Sequence, residues 1–276
     1  MALQKKRRTA LYYWLGIGAF LVFALFPVYW MVVSSIKAGG RFVEPSLIPT
    51  EISLDSLFSA FAKRPIARWY ANTIFISLAT AVLSLAISIN AGYALARFRS
   101  KLNQGFGLFI LFTQMLPAAL IVIPMFVIVR QLGLLDSIFG LVLANTAFAL
   151  PLSIWLMRGF FKSIPDSLEE AAQVDGSTRL GAFYRVTLPL AKPALVVVAV
   201  FAFLMAWNDF FFARALIFSD ENWVLSIGLT SFEDEYTVEW SELMGAAVMF
   251  TLPAAVFFAL VQKHLVSGLT GGAVKN

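Results

Sequence analysis

The sequence contains no cysteine and a single histidine, His264. Disulfides and thiolate metal sites are thereby excluded, and no histidine cluster is on hand to hold a metal. Charge is also scarce: 13% of the 276 residues are Asp, Glu, Lys or Arg, against 60% hydrophobic. No glycine-rich phosphate loop of the G-x-x-x-x-G-K type occurs, so the chain carries no recognisable nucleotide site. No long-period repeat is evident. Neither a metal nor a cofactor is expected in this chain.

What is abundant is apolar sequence. A mean hydropathy of +0.81 over this length marks an integral membrane protein. In so apolar a chain, the net charge of +5 reflects a membrane charge bias and not a nucleic-acid partner. About 20 apolar residues cross the hydrocarbon core as a helix. Charge-poor stretches predict six such spans, at about 10–36, 69–96, 105–129, 137–158, 191–213 and 243–262. The fold class expected is therefore an all-α integral membrane protein, one transmembrane domain covering 1–276. Lys5-Lys6-Arg7-Arg8 precede the first span as they would a signal peptide. Its apolar run is too long for one, and Pro27, Tyr29, Trp30 and Met31 follow with no small-residue cleavage site, so it reads as a retained helix.

Six spans put both termini on one side. With the termini cytoplasmic, 14 Lys and Arg lie inside and 7 outside, which favours this orientation. Twelve of the sixteen acids then fall outside. Leu54, Leu57, Phe58 and Phe61 predict a short amphipathic helix in the first outer loop. The last outer loop, 209–242, is strongly acidic. Its cluster Glu233-Asp234-Glu235 reads as solvated surface rather than a cation site.

Against this apolar background one polar island stands out. Nine charged residues fall between Arg158 and Lys192, and the stretch 163–190 reads as a cytoplasmic loop of two short helices. Pro165 suits a helix start, and Asp166 with Glu169 three residues on suggests an approximate capping box. Leu168, Ala171, Ala172 and Val174 form an apolar side, and Gly176 ends the helix. Ser177 or Thr178 can cap the second helix, whose stripe is Leu180, Phe183 and Val186. Pro189 and Pro193 are expected to break it before the next span.

Glu170-Ala171-Ala172, Asp175-Gly176 and Leu188-Pro189, at these spacings, resemble the EAA loop of ABC importer permeases. Other marks agree. Pro27-Val28-Tyr29-Trp30, Tyr93-Ala94-Leu95-Ala96-Arg97-Phe98 and Trp207-Asn208-Asp209 resemble helix ends of carbohydrate-uptake permeases. The tail, from Gly268, Leu269, Thr270, Gly271 and Gly272 to Lys275, resembles that of maltose-permease G-type subunits. Departures are small: Ser177 stands where alanine is frequent, and Val186 where isoleucine is.

The resemblance implies a MetI-like permease fold and a subunit of a bacterial ABC importer that carries a sugar, a disaccharide or small glycoside, across the inner membrane. It implies no covalent chemistry in this chain. ATP and Mg belong to a dimer of ATP-binding subunits, and the other partners are a second, F-type permease and an external sugar-binding protein. The loop would couple to the ATPase through Glu170, which either contacts it or caps the local fold, with Ala171, Ala172, Asp175, Gly176, Leu188 and Pro189. The tail would reach the ATPase dimer interface.

The alternative is an ion-coupled secondary transporter. That would need buried acids within the spans, and their charge-free stretches, 193–208 in the fifth, hold none. A sugar path needs hydroxyl partners and apolar faces. Its candidates are Gln114, Asn145, Trp207, Asn208 and Asp209, though Gln114 and Asn145 suit interhelical packing equally, and Trp207 an aromatic anchor. Asp209 is expected at the interface rather than deep in the bilayer. Ser77, Thr80, Ser84 and Ser88 share one helix face and read as packing.

Overall fold

A computed structural model describes residues 2–37, 46–49, 51–98, 100–232, 238 and 240–270. The Glu233–Glu235 cluster lies outside the described residues. Every extended element among them is helical, and one isolated bridge joins Lys37 to Ile52. The chain forms two compact units.

The first unit takes 1–66 and 229–253. Its helix α1 spans Ala2–Ser35, and from Tyr12 to Val32 it is apolar around its circumference and largely exposed. A helix hydrophobic on every side needs lipid or another protein around it. The amphipathic helix expected near Leu54–Phe61 is α2 (Asp55–Lys63), with its acid in the first turn and its lysine in the last. Ser59 Oγ and Lys63 Nζ both donate to Glu242 Oε1, each at 2.7 Å.

The second unit, 67–228 and 254–276, holds α3 (Ile66–Arg97), α4 (Lys101–Thr113), α5 (Ala118–Gln131) and α6 (Ile138–Ser163). The loop follows as α7 (Asp166–Val174), α8 (Arg179–Ala182), a π-turn at Phe183–Thr187 and α9 (Leu188–Leu190). Then come α10 (Lys192–Trp207), α11 (Phe211–Leu216) and α12 (Leu225–Gly228). The last helix, α13 (Trp240–Thr270), divides between the units at Pro253. Helix α10 packs along α6, and α11 packs on α5 and α6. Gly92 sets how near α3 comes to α6: a Cβ there would stand 2.6 Å from Met157 Cβ.

Four helices are long and apolar enough to cross a membrane: Tyr12–Ser35, Ile66–Arg97, Ile138–Ser163 and Trp240–Ala259. A fifth is reached only if Arg179–Leu190 and Lys192–Trp207, which meet at 72°, are taken together as one bent span. The third expected span, 105–129, is not continuous but breaks between α4 and α5. Pro117 has no N–H to continue a helix and disfavours the α conformation at Leu116. Met115 N and Leu116 N close short turns onto Phe112 O and Thr113 O instead. The expected 191–213 span likewise breaks after Trp207, because the Asp209 carboxylate accepts from Phe212 N and Ala213 N and starts α11 afresh. Pro124 and Pro151, in contrast, sit inside α5 and α6 without ending them.

At the α5–α6 connection, Asp136 adopts φ 53°. Its carboxylate accepts from Phe218 N, Ser219 N and Ser219 Oγ at 2.9–3.0 Å, and its carbonyl from Asn222 Nδ2 at 2.7 Å. Burial pushes this carboxyl up, but those hydrogen bonds outweigh it and hold the pKa below the ordinary value.

Candidate functional site

Loop 163–190 is built on two turns of different kinds. Helix α7 starts after Pro165, whose ψ of 134° is extended. The expected capping box does not form, since no side chain caps this end. Asp166 and Glu169 instead both turn toward Arg97 at the end of α3. A buried guanidinium is the stronger claimant for a carboxylate than an exposed backbone N–H.

At the other end, Gly176 has φ +90°. Ser177 N donates to Ala172 O at 2.9 Å and Gly176 N to Gln173 O at 3.0 Å, the paired bonds of a Schellman motif. No atom lies within 4 Å of where a Gly176 Cβ would stand, so conformation and not space demands glycine. Of the two candidate caps for α8, Thr178 serves: its Oγ1 accepts from Gly181 N at 3.0 Å.

Pro189 does not break the second helix. It lies inside α9, and the π-turn before it absorbs the missing donor, with Leu188 N reaching Phe183 O. The chain bends at Ala191, just ahead of Pro193.

Glu169 anchors the loop. It is 5% exposed, and Oε1 accepts from Arg97 Nε at 2.9 Å and Thr187 Oγ1 at 2.6 Å. Oε2 accepts from Tyr93 O–H at 2.8 Å. Arg97 also donates to Ile164 O at 3.2 Å and to Asp166. Burial raises the Glu169 pKa. The bonds from Thr187, Tyr93 and Arg97, with the Arg97 charge, outweigh that and leave it below the usual glutamate value. Beside this polar node, Phe183 packs on Tyr93 with ring centroids 4.3 Å apart, and the Arg179 guanidinium stands 4.6 Å over Phe98.

The outward face of the loop is apolar. Val174 is 87% exposed and Leu180 70%, and Leu168, Ala171 and Tyr184 are exposed as well. The apolar side of α7 thus points largely away from the protein, with Ala172 half-buried. Glu170, Asp175 and Pro189 are exposed, Ala172 and Leu188 half-buried. Glu169, Arg97, Tyr93 and Thr187 were not singled out from the sequence as site residues. The signal available was helical spacing: Glu169 shares a face with Asp166, not with Glu170.

The five path candidates do not come together as one lining. Gln114 is exposed at the α4–α5 break. Asn145, 3% exposed, donates from Nδ2 to Leu141 O and Asp209 Oδ2, both at 3.2 Å. The Asp209 carboxylate, expected at the interface, turns inward to that amide and to the N-terminus of α11. Trp207 is fully buried and stacks on Phe203 with centroids 5.6 Å apart. Asn208 is exposed and bonds to Leu204 O. Ser77, Thr80, Ser84 and Ser88 are all fully buried. In the tail, α13 carries helical backbone through Gly268, Leu269 and Thr270, while Gly271 and Gly272 lie outside the described residues.

Known proteins match this arrangement over most of the chain. The diacetylchitobiose uptake system permease protein DasC of Streptomyces coelicolor is 35% identical over 267 residues, covering 95% of this chain and 97% of that protein. The trehalose transport system permease protein SugB of Mycobacterium tuberculosis is 34% identical over 270 residues, covering 96% and 97%. A chain in the crystal structure of a bacterial ABC transporter that imports the acidic polysaccharide alginate superimposes with a TM-score of 0.81 at 29% identity, covering 94% of this chain and 97% of that one. Residues 84–271, which include the whole loop and its anchors on α3, match one family throughout: the chain belongs to the binding-protein-dependent transport system inner membrane components, the permeases of ABC importers.

Proposed function

We propose that this permease subunit carries a sugar, a disaccharide or small glycoside, inward across the bacterial cytoplasmic membrane, and that loop 163–190 couples it to ATP hydrolysis in separate ATP-binding subunits. The observation that carries this reading is the loop's two-sidedness. One side is pinned to α3 by the buried Glu169–Arg97 pair. The other presents Leu168, Ala171, Val174, Leu180 and Tyr184 outward on a polar connection between membrane helices. Exposed apolar surface rimmed by charge marks a docking face. Glu170, Ala172, Asp175 and Gly176 form its edge beside Ala171, with Leu188 and Pro189 at the return to the membrane.

Both termini lie in the cytoplasm in this reading, with the tail from Gly268 to Gly272 reaching the ATPase dimer interface. A second, F-type permease covers the apolar helices, and an external sugar-binding protein delivers substrate. ATP and Mg are held by the ATPase subunits. Gln114 and Asn208, the exposed members of the path candidates, face the sugar route. Relatives that carry diacetylchitobiose and trehalose support a glycoside as cargo.

The test is uptake of a labelled sugar panel by vesicles containing the reconstituted transporter. Uptake is expected to require ATP and the binding protein and to survive collapse of the ion gradients. Uptake that stops with an ionophore while ATP remains overturns the reading.

A further inference from the structure

One basic pair near the end of α6 has no acidic partner among the described residues. Arg158 stacks its guanidinium 4.5 Å over the Trp155 ring and lies 3.9 Å from where a Cβ on Gly107 of α4 would stand. Its Nε is buried without a hydrogen-bond partner. Lys162, one helical turn on, is exposed. Among the described residues no carboxylate pairs with either. Like charges at this spacing repel each other along a helix.

Both side chains line a cavity of about 410 Å³ together with Arg97, Phe98, Asn103 and Asp166. Within it, Arg97 and Asp166 answer each other, and Glu169 holds Arg97 from behind. Asn103 Nδ2 is engaged by Phe98 O. The positive charge left over belongs to Arg158 and Lys162. A guanidinium fork beside an ammonium suits a tetrahedral oxyanion, and phosphate above all.

The position decides where such an anion comes from. The cavity opens where α3 ends and α4 begins, and beyond it α4 exposes Phe106, Phe109 and Phe112 along its length. Those rings form the apolar flank on which acyl chains lie. Headgroup phosphates stand at the ends of spanning helices, and basic pockets between helices there attract anionic lipids.

We propose that this cavity binds the phosphate of an anionic phospholipid from the adjoining leaflet, with Arg158 and Lys162 as its donors. The inference needs only that the chain is membrane-embedded; it stands whether or not the loop docks an ATPase. A lipid held there touches the wall formed by Arg97 and Asp166, so it bears on the root of the loop.

The experiment is native mass spectrometry of the purified transporter complex after exchange into detergent with phosphatidylglycerol or phosphatidylcholine. Wild type is expected to retain phosphatidylglycerol in preference. Arg158→Gln with Lys162→Gln is expected to weaken retention about tenfold or more, the scale of a lost charged hydrogen bond. Arg130→Gln, exposed in the last turn of α5 and away from the cavity and the phenylalanine flank, controls for general surface charge and is expected to change nothing. Lys162→Gln alone gives a readout from an exposed position if the double variant fails to assemble. Equal retention by wild type and the Lys162 or double variant overturns the proposal, as does equal loss in Arg130→Gln. Inorganic phosphate forms a second arm. If it stabilises the lipid-free complex through Arg158 more than short-chain phosphatidylglycerol does, the ligand is a soluble phosphate and the lipid assignment falls.

Discussion

Arg97 and Glu169 stand 72 residues apart in sequence, and Arg97 Nε meets Glu169 Oε1 at 2.9 Å. Both side chains are almost fully enclosed. This contact, more than the residues at the tip of the loop, fixes where the loop sits on the membrane helices.

Glu169→Gln removes the charge while keeping the shape. Breaking one side of a buried pair costs about 3 kcal/mol or more, and here Arg97 keeps the exposed Asp166 and the Ile164 carbonyl. The loop is expected to loosen from α3, seen as faster trypsin cleavage at Arg179 and Arg185. Glu170→Gln, at an exposed position, is expected to leave cleavage unchanged. Equal cleavage in the two variants would contradict the anchoring role.

The same carboxylate sets a pH limit. Its pKa is lowered in the folded protein, so its contribution is complete above the ordinary glutamate value of about 4.3. That contribution is lost as pH falls from there through the depressed folded value. Hydrogen exchange over 179–190, corrected for intrinsic rates, is expected to show protection persisting somewhat below that ordinary value and then collapsing. In Glu169→Gln this collapse should disappear.

Gly176→Val tests the turn. A left-handed conformation costs an ordinary L-residue about 1–2 kcal/mol, and a β-branched side chain more. Since nothing crowds the position, the penalty is purely conformational. Sugar-stimulated ATP hydrolysis is expected to fall while expression and the thermal midpoint of the membrane portion hold. Gly176→Asn, which tolerates this region better, is expected to recover part of the activity.

Gly92→Leu tests the α3–α6 contact. The added Cβ meets Met157 Cβ at 2.6 Å, and neither backbone can yield cheaply. Overpacking of this kind costs about 1–3 kcal/mol. A lower midpoint in detergent melting is expected, and Met157→Ala, which keeps the clashing Cβ, is expected not to restore it.

Orientation is open to single-cysteine labelling because the chain supplies no native thiol. Cysteine at position 136 or 235 is expected to react with an impermeant maleimide from outside. Cysteine at position 101 or 170 should react only after the membrane is opened. The reverse pattern would invert the topology.

Helix type and approximate place were legible in the sequence because hydrophobic length and charge spacing are local properties. The Gly176 turn and the Thr178 cap were legible for the same reason, since their chemistry lies within four residues. The breaks were harder. Pro117, Pro124, Pro151 and Pro189 look alike in sequence, yet only Pro117 divides a helix, because neighbouring contacts decide whether a missing hydrogen bond is absorbed. Helical spacing separates the face of Glu169 from that of Glu170, but nothing local in the sequence says which face is buried. One is the buried anchor and the other is exposed, and the difference is made by Arg97 and Thr187, which sequence distance conceals.

The 72° bend at Ala191 gives the loop mechanical leverage. The twelve residues Arg179–Leu190 form a stiff arm roughly 18 Å long at helical rise. Ala191 is its fulcrum, and α10, sixteen residues packed along α6, is the longer side of the lever. A displacement of one or two ångströms at the Leu180 end becomes a rotation of a few degrees at the root of α10. Where such a lever is rigid, small strokes at the tip are delivered as torque rather than dissipated in bending.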